Sequence, residues 1–234
     1  MEHTAKSFDE ELQAMQRAVT RLAGRVEQQF RRAVRALTDA DVSSVAEILR
    51  QERIIDAEHL AAGNLCSELL ATRQPLALDL RIIMAAIHSI NDLERIGDES
   101  RKIALRAGTL MQSTLRDQLP IAEIRALSDS AGNMLHAAID AMVREDNHTF
   151  ARLSVQDTQI DQERDELQRL LIRLASSHPE DTNACVDAIF VVQSVERVAD
   201  HARNIAGYVV SVVEGVDVDR KSTRLNSSHS DRSR

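Results

Sequence analysis

Apolar side chains recur in steps of three and four along most of the chain, the spacing that lines one face of an α-helix. The first run, Phe8, Leu12, Met15, Val19, Leu22, Val26, Phe30 and Leu37, predicts one long amphipathic helix that Ser7 or Asp9 can cap. Thr38 to Asp41 supplies a stop and a fresh N-cap. A second helix follows through Val45, Ile48, Leu49, Ile55, Leu60, Leu65 and Leu69 to about Arg73. Pro75 suits the first turn of a third, where its missing N–H is no loss, and that helix carries Leu80, Ile83, Ile87 and Ile90 to about Arg106 before Gly108 breaks it.

The same pattern restarts near Pro120. A fourth helix through Ile124, Leu127, Met134, Leu135, Ile139 and Val143 halts at Glu145-Asp146-Asn147, and a fifth runs through Phe150, Leu153, Ile160, Leu167 and Leu171 to the turn Ser177-His178-Pro179. The sixth takes Ile189, Val192, Val195, Val198, Ile205, Val209 and Val212 and meets Gly215. Short connections between long helices call for antiparallel neighbours. The expected fold is therefore all-α, two tandem antiparallel three-helix bundles over residues 1–110 and 111–218. Only 2% of the residues are aromatic, and Gly and Pro number seven and three, which agrees with helices and speaks against strands.

The two bundles are related by an internal repeat. Asp92-Leu93-Glu94-Arg95-Ile96-Gly97-Asp98 returns as Glu196-Arg197-Val198-Ala199-Asp200, each followed by an Ile-Ala pair at 103–104 and 205–206. Glu94/Asp98 and Glu196/Asp200 each put two carboxylates four residues apart, on one helix face. Glu52/Asp56 on the second helix and Asp157/Asp161 on the fifth repeat that spacing.

The distances along the chain then align these pairs. Glu52 and Asp56 lie 23 and 19 residues before Pro75, and Glu94 and Asp98 lie 19 and 23 after it. Two helices folded back at that proline bring all four to one height, on the order of 30 Å from the turn at about 1.5 Å per residue. Asp157 and Asp161 stand 22 and 18 residues before Pro179, and Glu196 and Asp200 stand 17 and 21 after it, so a second cluster of four forms the same way. The acids extend apolar stripes, which points them toward the bundle. Ionised groups there persist only when paired or metal-bound. Arg53, Arg95, Arg101 and Arg197 offer some neutralisation; the remainder suggests a hard or borderline cation, Mg²⁺, Mn²⁺, Fe or Zn²⁺, in an all-oxygen site.

Charge and composition narrow the partners. The formal charge is −8, which lacks the basic face a nucleic acid demands. Residues 219–234 break the helical pattern and resemble a translated DNA-sequencing adapter, which marks them as a non-native read-through tail. Without them the chain has 24 Lys/Arg against 35 Asp/Glu, a net of −11. Cys66 and Cys185 form no C-x-x-C pair and read as buried free thiols in a reducing cytoplasm. No apolar run approaches the roughly 18 residues of a membrane span, so contact with a membrane is expected only through partners. His201 beside Asp200 is a candidate extra ligand, His88 reads as a core histidine, and Glu145-x-x-His148 is half a di-iron motif with no second copy. No Gly-rich phosphate loop, nucleophile elbow or H-E-x-x-H occurs, so no catalytic residue is assigned.

The doubled motif resembles the PhoU family of phosphate-transport regulators. The resemblance rests on Asp92 to Asp98, on Glu196 to Ala206, on Arg73-Gln74-Pro75 with Asp79-Leu80-Arg81, and on Val213-Glu214-Gly215. Val198-Ala199 stands where Ile-Gly is usual, and Glu99-Ser100 where His-Ala is usual. The resemblance implies multinuclear metal clusters on Glu52/Asp56 with Glu94/Asp98 and on Asp157/Asp161 with Glu196/Asp200. It also implies a cytoplasmic, non-enzymatic negative regulator linking a phosphate ABC transporter ATPase to a sensor histidine kinase, with room for a homodimer. A metal-dependent carboxylate-bundle hydrolase or oxidase, and a plain helical scaffold with arginine-paired acids, are the alternative readings of the same residues.

Overall fold

A computed structural model describes residues 2–39, 41 and 43–215, so the tail assigned to 219–234 lies outside the described residues. Six helices account for nearly all of it: α1 (Glu2–Thr38), α2 (Ser43–Arg73), α3 (Ala77–Leu110), α4 (Ile121–Arg144), α5 (Thr149–Ser177) and α6 (Thr182–Glu214), with short 3₁₀ turns at Arg116–Gln118 and Pro179–Asp181. Helices α1 to α3 pack on one another, as do α4 to α6, and the two bundles join where α3 lies along α6 and α1 meets α4.

Several boundaries differ from the sequence pattern for local reasons. Helix α1 begins at Glu2, ahead of both cap candidates, and Ser7 instead donates to Glu11 one turn on. Pro75 sits before α3 rather than in its first turn, inside a connection whose flanking Gln74 and Ala77 hold φ of 47° and 49°. Gly108 does not break α3, which runs on to Leu110; the glycine costs the helix about 1 kcal/mol against alanine, too little to end a helix packed on three neighbours. Glu145 closes α4 and Gly215 closes α6, both left-handed, with φ of 56° and 67°. Gly215 has no side chain there, and Arg81 lies across it while donating from Nε to Val212 O at 3.1 Å.

One continuous core runs through both halves. Phe30, Met15 and Leu22 of α1, Ile83, Leu93 and Ile96 of α3 and Ile124 and Leu127 of α4 are all but inaccessible. Phe30 crosses to the other bundle, its ring 3.5 Å from where a Cβ on Gly132 would stand. The α2 stripe is narrower than its apolar residues suggest: Ile48, Ile55, Cys66 and Leu69 are buried, while Leu60 stays 64% exposed because α2 contacts only α1 and α3. Leu80 is likewise exposed, and both cysteines are buried free thiols.

The α3–α6 contact is antiparallel and nearly two-fold. Arg81 meets Val212, Asp92 meets His201, Glu99 meets Arg197, and Arg106 lies over Phe190 with Asp187 at 3.7 Å. By the repeat, Asp92 corresponds to Ser194 and Glu99 to His201, so Asp92 with His201 and Glu99 with Ser194 are the same two repeat positions meeting twice across the joint.

Candidate metal centre

Along α2, Glu52, Ile55 and Asp56 share one face; along α3, Glu94, Gly97, Asp98 and Arg101 do the same, because residues three and four apart stack on a helix. The turn at 74–76 folds these faces together, giving a first acidic seam. Arg101 Nε lies 2.5 Å from Glu52 Oε1 across it. Burial pushes the Glu52 carboxyl above its usual range; Arg101 opposes the shift, while Asp56 and Asp98 add to it. Three of the four expected acids therefore act on one another directly. Glu94 is half-buried on the same face, with its own neighbour Arg95 at 3.8 Å.

The second seam, between α5 and α6, brings all four of its acids together. Arg203 donates from Nη1 to Asp157 Oδ2 at 2.7 Å and lies 3.6 Å from Asp200. Arg164 bridges Asp161 at 3.1 Å and Glu196 at 3.4 Å, with Asp165 also at 3.1 Å. Burial, reinforced by Asp200 and Asp161 and opposed by Arg164, pushes the Glu196 carboxyl up to about 6. Asp157 is raised as well, by burial first, then by Asp200 and Asp161 against the pull of Arg203.

With the side chains in these positions, no three His, Cys, Asp or Glu among the described residues form a group that could close around one ion. Like charges spread apart, and Arg101, Arg164 and Arg203 draw individual carboxylates toward themselves. Of the arginines expected from sequence, Arg101 takes this part, whereas Arg197 binds Glu99 and Arg53 is exposed. Arg164 and Arg203 were not anticipated; their i+3 spacing from Asp161 and Asp200 was the available signal.

The donor set nonetheless fits a hard cation. Each seam offers only carboxylate oxygens, and Glu52, Asp157 and Glu196 are raised by burial first and by neighbouring carboxylates second, against the pull of the arginines. Glu52, Asp56, Glu94 and Asp98 are the residues available to a metal on the first seam, and Asp157, Asp161, Glu196 and Asp200 on the second.

Other sequence candidates have different employment. His201 Nδ1 lies 2.7 Å from Asp92 Oδ1, and Tyr208 donates to the other oxygen of Asp92 at 2.7 Å, so the histidine faces the joint rather than a seam. His88 is exposed, not core, with its ring 5.2 Å from that of Tyr208. Buried Glu99 would be raised by burial, yet Lys102, Ser194 and Arg197 together hold it below the usual carboxylate range. Sequence reasoning passed over Gln29, which is 3% exposed with neither amide atom hydrogen-bonded to another protein group. A cleft of about 670 Å³ between α1, α3, α4 and α6, lined by Arg17, Met142 and Val209 among others, includes none of the eight acids.

The comparisons with known proteins agree with this architecture. The PhoU domain matches twice, at residues 19–107 and 124–209. A phosphate-specific transport system accessory protein PhoU homolog of Pseudomonas putida is 36% identical over 223 residues, covering 92% of this chain and 84% of the relative. The accessory protein PhoU of Escherichia coli (strain K12) is 29% identical, with 92% and 88% covered. The crystal structure of PhoU from Pseudomonas aeruginosa superposes with a TM-score of 0.83 at 32% identity over 89% of this chain and 100% of that one. That of the phosphate transport system regulatory protein PhoU from Streptococcus pneumoniae gives 0.82 at 26% identity, covering 90% and 99%. Two matched PhoU domains, and relatives at this identity over nearly their full length, establish that the chain belongs to the PhoU family.

Proposed function

We propose that the protein is a cytoplasmic negative regulator of phosphate uptake and phosphate-starvation signalling that couples a phosphate ABC transporter ATPase to a sensor histidine kinase. The observation that carries this reading is the pair of complete PhoU domains. Relatives matched over most of their length are named as accessory and regulatory proteins of phosphate-specific transport, and the chain is an accessory protein of this kind, not an enzyme. No described helix is long and apolar enough to cross a membrane.

The reading includes divalent or trivalent metal on the two seams. Bound there, a metal supplies the positive charge that the arginines supply only in part. The protein's own side chains do the rest: Arg101, Arg164 and Arg203 pair with five of the eight acids, Glu52, Asp157, Asp161, Glu196 and Asp200, and releasing those arginines would free these carboxylates to ligate. A change in where three guanidinium groups point is a change in the surface along α2, α3, α5 and α6.

Two measurements test the halves of this reading separately. Deleting the gene is expected to leave phosphate-starvation genes expressed in high phosphate; unchanged repression sinks the regulatory role. Incubating the purified chain with Mn²⁺, Fe or Zn²⁺, dialysing it and measuring metal by elemental analysis is expected to give at least one ion per seam. Stoichiometric absence of all three sinks the metal claim and leaves the arginine-paired scaffold standing.

A further inference from the structure

The buried residues of α1 and α4 follow one pattern. Val19, Leu22, Ala23, Val26, Phe30 and Ala33 recur 105 residues later as Ile124, Leu127, Ser128, Ala131, Leu135 and Ala138, all buried. The same offset carries Glu52 to Asp157 and Ile55 to Ile160, so it is the true register of the repeat in this part of the chain. Gln29 then corresponds to Met134, which is 1% exposed. In the second half the place is filled by an apolar side chain of nearly the same shape; in the first it is filled by an amide with no protein partner.

Its surroundings locate that amide. Gln29 Oε1 lies 3.8 Å, and Ile55 Cγ2 3.6 Å, from the point where a Cβ on Gly97 would stand. Ile55 and Gly97 share their helix faces with Glu52/Asp56 and Glu94/Asp98, respectively, so Gln29 reaches the layer behind the first acidic seam. Across the repeat, Gly97 becomes Ala199, and the corresponding residues of the second half, Met134, Ile160 and Ala199, are all buried and apolar. The first half instead keeps a polar group and one methyl less.

A buried amide is costly unless it meets a partner, and Met134 shows that this position in the fold accepts an apolar side chain. The first seam is also short of positive charge. Arg164, which bridges two acids of the second seam, corresponds to His59. Resting on the metal-binding reading above, we propose that Gln29 forms the inner wall of the first seam and presents a neutral amide oxygen, directly or through one water, to the cation held by Glu52, Asp56, Glu94 and Asp98. The two seams are then unlike sites: one of carboxylates backed by an amide, the other of carboxylates backed by hydrocarbon.

The test measures each seam alone in the full chain. Asp161→Asn with Asp200→Asn leaves the first seam as the binding site, and Asp56→Asn with Asp98→Asn leaves the second. Mn²⁺ is titrated calorimetrically into each background with and without Gln29→Met, which copies the second half. The substitution is expected to weaken Mn²⁺ binding roughly 10- to 100-fold at the first seam, the range for losing a group that supports a metal ligand set, and to leave the second unchanged. Gln29→Glu, which keeps an oxygen, is expected to restore binding. In metal-free buffer Gln29→Met is expected to melt no lower than the parent, which shows that lost binding is not lost folding. Equal Mn²⁺ affinity in the first-seam background with Gln29 and with Met overturns the proposal, as does equal weakening at both seams. If neither background binds Mn²⁺, the titrations are repeated with Fe and Zn²⁺; absence of all three overturns the metal-binding reading, and with it the proposal, leaving Gln29 a tolerated orphan.

Discussion

The two acidic seams are copies of one pattern, yet the chain neutralises them differently. Arg101 and Arg203 occupy the same place in the repeat and do the same thing, each reaching back across its seam to the first acid of the partner helix, Glu52 or Asp157. The second seam adds Arg164 and lies deeper: the Asp157 side chain is 9% exposed and that of Glu196 16%, against 28% for Glu52. Duplication therefore preserved the carboxylates and one arginine, while the second arginine and the layer behind the acids diverged. What the acids have in common is their geometry; what separates the seams is how much of their charge the protein answers by itself.

The largest effect expected from this difference concerns the shared arginines. Removing Arg203 by Arg203→Met strands a nearly buried Asp157, and should cost about 2 kcal/mol, reduced from the roughly 3 to 5 of a fully buried pair because the arginine is itself 36% exposed. Arg101→Met leaves Glu52 better hydrated and should cost about 1 kcal/mol or less. Chemical denaturation of both variants without metal checks the order. Equal losses would erase the distinction between a deep and a shallow seam.

Next comes the pH response of the second seam. Glu196 has its pKa raised in the folded chain, from 4.5 to about 6, so the folded protein holds the proton more tightly than the unfolded one. Stability from this group is fully present below about 4.5 and declines as pH rises through about 6, by up to about 2 kcal/mol at roughly 1.4 kcal/mol per unit. Asp157 and Glu52 shift in the same direction, whereas Glu99 runs the other way and loses its contribution as pH falls. Glu196→Gln should therefore raise stability at pH 7 and flatten the fall between pH 4.5 and 6 without metal. An unchanged slope in a pH series of urea melts would show that Arg164 already compensates Glu196 in full.

Much of this was legible in the sequence because it depends on period and count. Six helices follow from apolar steps of three and four, and the heights of Glu52, Asp56, Asp157 and Asp161 opposite their partners follow from residues counted to Pro75 and Pro179. Features that depend on which neighbour covers a helix were not legible. Leu60 fits the stripe of α2 but faces outward, Gly108 is held in α3 by packing, and His201 turns to Asp92 because the halves meet along α3 and α6. Gln29 is intermediate: its chemistry is visible in the sequence, but its burial beside Gly97 is not, and only the register of the repeat against Met134 makes it anomalous.

The smallest effect on stability gives the sharpest test of the comparison. His59 stands where the second seam has Arg164, three residues beyond Asp56 as Arg164 is beyond Asp161. His59→Arg should give the first seam the missing guanidinium, within reach of Asp56 at i+3 and of Glu94 as Arg164 is of Glu196. The partly exposed pair should add no more than about 0.5 kcal/mol to the metal-free protein. Its effect on Mn²⁺ should be larger, because the added charge competes for the same carboxylates: a roughly tenfold loss of affinity at the first seam corresponds to about 1.4 kcal/mol of repulsion, modest for unit charges about 4 to 6 Å apart. A calorimetric titration in the background lacking Asp161 and Asp200 isolates that loss. If the affinity holds, the arginines do not compete with metal for the acids, and the divergence between the seams has to be explained by the inner layer alone.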